Sequence, residues 1–276
     1  MPGHNAGPPR ERNPIAALTR VLGAMAAMDQ RTVGLRELAR MLGAPPSSVQ
    51  RTLESAEELS LVASSGGQWE LGWELFRLAS IVQAKHPFQG AATVLDELSA
   101  HTGETALLVV YDARRRERMF AAASQSRQSV RFVPELFSWL PMHAGASALA
   151  ILAYRPDEER QALYAQGAPP VTPTTSPEAV ESALDEVRRN GYAVTHDGVY
   201  LGASGVAAPI FTGSAVTSSV AVIVPKQRFN DAHEAAIVVH VKAAAQSLEQ
   251  RLGDPSSGLT AVPPARTHGD TESRGS

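Results

Sequence analysis

Between Leu35 and Leu53 the sequence spells a helix, an abrupt stop and a second helix, and no other stretch constrains the fold as tightly. Leu35, Leu38, Ala39 and Leu42 fall at i, i+3, i+4 and i+7, one face of a helix. Gly43 and the pair Pro45-Pro46 end it. The pattern restarts at Ser47, with Val49, Leu53 and Ala56 turned inward, and Ser47-x-x-Gln50 has the spacing of a capping box. Upstream, Ile15, Leu18, Leu22 and Met25 mark one face of an earlier helix. Downstream, Leu61-Val62-Ala63 and Gln68-Trp69-Glu70-Leu71 flank Ser64-Ser65-Gly66-Gly67, which reads as a hairpin with a glycine turn. Three short helices followed by a hairpin predict a winged helix-turn-helix, mostly α with a small β wing, over residues 14–73.

The third helix has a chemical side. On a wheel of about 100° per residue, Val49, Leu53 and Ala56 cluster, while Ser47, Arg51 and Ser55 gather opposite with Ser48 beside them. A face of small hydroxyls around one arginine can approach a DNA major groove closely. Arginine pairs with guanine O6 and N7 or with phosphate, and hydroxyls reach phosphates or base edges. Ser47, Ser48, Gln50, Arg51, Thr52 and Ser55 are therefore the candidates for base and backbone contact. Arg36 and Arg40, on the outer side of the second helix, are candidates for phosphate contact. The plainer reading is a solvated surface helix. Charge does not decide between them, because residues 1–72 hold seven arginines against seven acids.

Near residues 75–88 the chain changes character. A helical stretch over 74–87 reads as a linker, and elements then alternate over 88–252. A helix runs from about 88 to 101, closed by Gly103; strands follow at 105–112, 118–124 and 129–133; helices follow at 145–154, 157–165 and 177–190. Strands 206–211 and 216–224 flank the turn Thr212-Gly213-Ser214, and a long helix covers 230–252. The short turns favour an antiparallel sheet with helices packed on it, an α+β domain. Residues 1–13 and 253–276 hold too little apolar surface to offset ordering their backbone and read as flexible tails.

With 43% hydrophobic residues and 21 glycines in 276, the chain has ample material for two cores. The absence of cysteine excludes disulfides, thiolate-ligated zinc, iron–sulfur clusters and a cysteine nucleophile. A net charge of −3 speaks against a polycation that coats nucleic acid or lipid. No apolar run approaches the ~18 residues of a membrane span, and no secretory signal is expected, so a soluble cytoplasmic protein without a membrane partner is anticipated. Catalytic patterns are weak. His196-Asp197 and Ser204 are pieces of a triad, yet adjacent His and Asp side chains face apart. Gly202-Ala-Ser-Gly205 is not Gly-x-Ser-x-Gly. His233 and His240 lie about 10.5 Å apart along a helix, too far to share a metal. No phosphate loop occurs. Neither an enzyme, a metal site nor a cofactor is expected.

The run Leu35-Arg-Glu-Leu-Ala-Arg-Met-Leu-Gly43, with Ser47-Ser-Val-Gln-Arg-Thr-Leu53, Leu61-Val62 and Trp69-Glu-Leu-Gly72, resembles the N-terminal domain of the IclR family of bacterial transcription regulators. Thr102-Gly-Glu-Thr-Ala106, Pro141-Met-His-Ala144, Val187-Arg-Arg-Asn-Gly-Tyr-Ala193 and Val206-Ala-Ala-Pro-Ile210 resemble its effector-binding domain, in the same order. The resemblance spans about residues 14–252. It implies an α+β, GAF-like effector domain, a homodimer or homotetramer, and operator DNA bound under small-molecule control. Pro46 stands where the family often has a basic residue.

The resemblance also implies a ligand site against the sheet, beneath the loop His143-Ala144-Gly145-Ala146. Family members hold small acids there through backbone N–H groups, an Asp, a Cys and two Ser. In this sequence the Asp position falls on Thr195, the Cys position on Gly205, and the Ser positions near Ala221 and Ile223. With Ala203, Leu140 and Met142 nearby, and Phe132 and Trp139 beyond them, an apolar or aromatic effector is expected in place of a small 2-oxo acid. Two alternatives stay open: a degenerate pocket of plain core residues, and a ligand-sensing adaptor whose winged helix binds protein.

Overall fold

The computed structural model describes residues 13–85, 88, 90–142, 145–165 and 177–253. They form two compact units that part after Lys85. The two tails, His143 and Ala144 lie outside the described residues, apart from Asn13 and Gly253 at the tails' inner ends.

The first unit runs α1 (Pro14–Ala26), β1 (Val33–Gly34), α2 (Leu35–Leu42), α3 (Pro46–Glu58), β2 (Val62–Ser65), β3 (Gln68–Leu71) and α4 (Trp73–Lys85). The Asn13 side chain accepts from the backbone N–H groups of Ile15 and Ala16, and Pro14 takes the first helical position, where its missing N–H is not needed. α2 stops at Gly43 in the left-handed conformation. The strands form an antiparallel sheet in the order β1-β3-β2. Val21, Met25, Val33, Leu38, Ala39, Val49, Leu53, Ala56, Val62 and Trp69 make the core. Gly72 leads β3 into α4 where a side chain has no room: a Cβ there would lie 2.1 Å from the Ser60 carbonyl oxygen.

Two sequence expectations change here, and one short strand is added. Ile15 is exposed and Val21 takes an inward place on α1, so the buried stripe is rotated along the helix. The capping box does not form. The Pro45 carbonyl already accepts from the Ser48 and Val49 N–H groups at 2.9 and 3.2 Å, so α3 begins at Pro46 and Ser47 lies inside the first turn. Gln50 instead donates to Glu54 Oε1 at 2.7 Å. The strand β1 pairs with β3 through Val33–Trp69 and Gly34–Gln68, two residues too short to leave a periodic signal.

The second unit contains α5 (Ala91–Thr102), β4 (Thr105–Asp112), β5 (Glu117–Ser124), β6 (Trp139–Pro141), α6 (Ala146–Leu152), α7 (Asp157–Ala165), α8 (Pro177–Asn190), β7 (Ala193–His196), β8 (Ala203–Thr212), β9 (Ala215–Pro225) and α9 (Asp231–Gly253). Six antiparallel strands lie in the order β6-β5-β4-β9-β8-β7. Alternate residues of β4 face opposite ways. Ala106 and Leu108 pack with Leu95, Leu98, Ile237 and Val241 under α5 and α9. Leu107, Val109 and Tyr111 pack with α6, Leu163 of α7 and Leu184 of α8. Both faces are covered, which is why β4 reads as an unbroken apolar run.

Residues 129–133 are not a strand. Their carbonyls are taken by side chains: Arg228 Nη1 donates to Val130 O and Thr105 Oγ1 to Phe132 O. Arg228 in turn grips the buried Glu104 through Nε and Nη2, at 2.6 and 2.7 Å. The edge of the sheet beside β5 is supplied instead by β6, through Glu117–Pro141, Arg118–Leu140 and Met119–Trp139.

Candidate functional site

In the first unit, α2 and α3 bury Leu38, Ala39, Val49, Leu53 and Ala56 and turn their polar sides to solvent. Arg36, Arg40, Ser47, Ser48, Arg51 and Ser55 are exposed, and Gln50 and Thr52 are half-buried at the margin. Arg51 lies back along its own helix, with Nε donating to Ser47 O at 3.2 Å, and Thr52 Oγ1 donates to Ser48 O. Neither holds a carboxylate, so both can exchange an intrahelical bond for another acceptor. At the wing, Arg31 pairs with Glu70 at 2.7 Å.

The second unit holds a partly open cavity of about 40 Å³ between the sheet and the start of α6. Its floor is Leu107, Phe120, Thr195, Ala203, Gly205, Ala221 and Ile223; its cover includes Gly145, Ala146 and the segment Gly198–Tyr200. Register explains why distant residues meet there. Thr195 pairs with Gly205, and Gly205 with Ile223, in one row across β7, β8 and β9; Ala221 pairs with Leu107 on β4. The cavity therefore gathers Gly145, Ala146, Thr195, Ala203, Gly205, Ala221 and Ile223. Leu140, half-buried on β6, and Met142, buried in the core under α6, do not line it.

The segment from Asp197 to Gly202 closes over this space. Asp197, at φ 55°, accepts from the Gly202 N–H at 2.7 Å and pairs with Lys226. The Lys226 ammonium and the Gly202 amide hold the Asp197 carboxyl below its ordinary range. Tyr200 packs on Phe132 with ring centroids 4.6 Å apart. His196 Nδ1 meets Ser204 Oγ at 3.1 Å across the β7–β8 pair, while Asp197 turns away to Lys226, so no His–Asp relay forms. His233 Nδ1 bonds Arg228 O, and His240 stacks on His101. Among the described residues no three acids or histidines group as metal ligands, and no helix is long and apolar enough to cross a membrane.

Sequence reasoning passed over Arg118. It sits on β5 in phase with the inward Phe120, not with the arginines of the 114–116 turn, and it is 1% exposed. Period-two counting back from Phe120 was the available signal.

Residues 79–250 match the family described as bacterial transcriptional regulator IclR, C-terminal. The chain belongs to the IclR family of bacterial transcriptional regulators. IclR relatives include an HTH-type transcriptional regulator of Mycobacterium tuberculosis, 31% identical over 70% of this chain and 75% of its own. The transcriptional repressor IclR of Escherichia coli is 28% identical over 71% of this chain and 75% of its own. Among solved structures, an IclR regulator of Alicyclobacillus acidocaldarius superposes with a TM-score of 0.76 at 25% identity, over 87% of this chain and 98% of that one. An IclR homologue of Microbacterium hydrocarbonoxydans, solved with 4-hydroxybenzoate, superposes with a TM-score of 0.74 at 24% identity, over 87% and 99%. This chain is a transcriptional regulator of the IclR family, a family of regulators and not of enzymes.

Proposed function

We propose that residues 14–73 act as a winged helix-turn-helix that docks α3 in the major groove of operator DNA, and that a small molecule in the 40 Å³ cavity adjusts that binding. The observation that carries the reading is the two-sidedness of α2 and α3: a fixed apolar side, and an exposed side bearing Arg36, Arg40 and Arg51 with no carboxylate paired to them among the described residues. α3 is thin on that side, with Ser47, Ser48 and Ser55 around Arg51, so the helix axis can sit close to base edges. The unit is nearly neutral, so sequence-independent attraction is weak and specific contacts carry a large share of the affinity. Gel shifts of the full-length protein with genomic fragments test this: discrete retained fragments are expected, with affinity falling as salt rises. Retention of nothing, or of all fragments alike, contradicts it.

The ligand is proposed to have an apolar or aromatic body. Leu107, Phe120, Ala146, Ala203, Ala221 and Ile223 supply the walls, and Gly205 and Ala221 carry no polar side chain where the family places one. The space of about 40 Å³ holds two or three waters, whereas a cavity near 150 Å³ encloses benzene. In this reading a ring enters as Val199 and Tyr200 move outward, and this displacement is the step that couples occupancy to the rest of the regulator.

A homodimer, or a pair of them, completes the proposal, in the cytoplasm where the operator is. Two half-sites one helical turn apart need two recognition helices. α4 leaves Trp73, Phe76, Leu78, Ile81 and Val82 exposed, apolar surface that a second copy of this chain covers in the proposed dimer.

A further inference from the structure

Among the described residues Glu54 is paired with no cation, and it stands on the solvent side of α3 beside Arg51. On a wheel of about 100° per residue it falls about 20° from Ser47 and about 60° from Arg51, inside the arc of candidate DNA contacts. Val49, Leu53 and Ala56 keep the other side of the helix in the core. Gln50 Nε2 donates to Glu54 Oε1 at 2.7 Å, an i,i+4 bond that leaves Oε2 as an unbonded acceptor. Arg51 does not neutralise the carboxylate, because its Nε turns back to Ser47 O at 3.2 Å. The other acids of α3 are placed differently. Glu57 Oε1 accepts from Ser64 N and Oγ at 3.0 and 2.6 Å, which fastens the end of the helix to β2. Glu58 is the last residue of α3, at the end far from its start beside the turn.

A carboxylate in that place is not neutral toward DNA. It repels phosphate, so it lowers affinity for every sequence in which no donor on a base edge meets it. In the major groove guanine offers only acceptors, and thymine an acceptor and a methyl group. Cytosine offers its N4 amino group, the usual partner of a glutamate. Adenine sets its amino group beside the N7 acceptor, which suits an amide that donates as well as accepts. Arg51 and Glu54 are three residues apart, about 4.5 Å along the helix, against about 3.4 Å per base-pair step. Two side chains of opposite charge therefore reach neighbouring base pairs, one matched to guanine and the other to cytosine.

We propose that Glu54 is a specificity-determining residue, its Oε2 accepting from the N4 amino group of a cytosine within about two base pairs of the pair read by Arg51. This rests on the reading of α3 as the operator-contacting helix and adds a required base to it. The two residues act with opposite sign. Arginine gains from guanine and from phosphate alike, so its loss weakens binding to any DNA. Glu54 gains from one base edge only, so its presence is a penalty on all other sequences. The DNA-binding unit is nearly neutral, and no excess of basic charge masks that penalty.

The test is fluorescence anisotropy of the full-length protein on an operator captured by genomic gel shift, with each base pair replaced in turn. The parent is compared with Glu54→Ala, Glu54→Gln and Arg51→Ala. In the parent, replacing the cytosine should cost about five-fold or more in affinity. Glu54→Ala should lose most of that cost, at a C·G pair within about two steps of the pair that Arg51→Ala relaxes. Both Glu54 variants should bind an unrelated duplex more tightly than the parent, and Arg51→Ala more weakly. Glu54 is exposed, so neither replacement disturbs the core. If Arg51→Ala relaxes a base pair and Glu54→Ala relaxes none, α3 reads the operator without Glu54, and this inference alone is overturned. A pair relaxed by Glu54→Ala that is not C·G overturns it as well. If neither variant changes any preference, or no DNA is retained, the reading of α3 falls and this inference falls with it.

Discussion

Val199 Cγ2 lies 2.5 Å from where Gly145 would carry a Cβ. The segment that covers the cavity thus rests directly on a residue that must be glycine, both for space and because φ 87°, ψ 158° is a backbone region almost confined to glycine. Gly198 approaches the same residue, its own would-be Cβ lying 3.2 Å from Gly145 Cα. Gly145→Ala should cost about 1–3 kcal/mol of stability and push Val199 outward. Chemical denaturation measures the first. Hydrogen exchange at residues 198–200 measures the second, with faster exchange expected; unchanged stability and exchange would show that the contact does not hold the cover down.

Asp197 ties the neck of the same segment, and its carboxyl is lowered chiefly by Lys226 and then by the Gly202 amide. A group depressed in the folded protein contributes while it is ionised, above the ordinary carboxylate range. The contribution fades as pH falls through the lowered value. Exchange at Gly198–Leu201 should therefore be insensitive to pH near neutrality, after correction for the intrinsic rate, and rise in acid. Asp197→Asn should bring that faster exchange to pH 7. Equal exchange in the variant and the parent at pH 7 would remove Asp197 from the closure.

Gly205 differs from Gly145 in having room. A Cβ there meets Ala146 Cβ at 3.5 Å and Thr195 Oγ1 at 3.6 Å, ordinary contacts. Gly205→Asp should therefore fold, place a carboxylate in the cavity, and weaken an apolar or aromatic ligand by putting a charge against it, while leaving ligand-free DNA affinity unchanged. Calorimetry and gel shift on the same preparation check both halves; an apolar or aromatic ligand bound equally well by Gly205→Asp and the parent would contradict the placement of the ligand beside Gly205.

The exposed apolar residues of α4 lead to an expectation about assembly. Sedimentation at micromolar concentration should give a dimer or larger, and Phe76→Glu with Val82→Glu should shift it toward monomer and weaken operator binding. A monomer that keeps tight operator binding would contradict the need for two recognition helices.

Elements with long periodic signals were legible in the sequence. The stripes of α2 and α3, the strands of β4 and β5, and the long α9 with Ile237, Val241, Ala244, Ala245 and Leu248 inward follow from spacing alone. What escaped depends on partners far away in the chain. β6 and β1 are too short for a pattern, and residues 129–133 look like a strand until Thr105 and Arg228 claim their carbonyls. Within the cavity, Thr195, Gly205 and Ile223 were placed through the family resemblance, and cross-strand register brings them together. Arg118 was hidden by its neighbours: next to three turn arginines it looks solvated, and only the parity of β5 turns it inward.

The regulator's central claim, that α3 reads the operator, is tested most directly by fluorescence anisotropy of the full-length protein on a captured operator, comparing Arg51→Ala with the parent. A loss of about 1–3 kcal/mol, with relaxed preference at one base pair, is expected if Arg51 leaves Ser47 O to pair with guanine. Arg36→Ala and Arg40→Ala should instead weaken all DNA alike and flatten the salt dependence. Operator affinity and base preference unchanged by Arg51→Ala would contradict the claim.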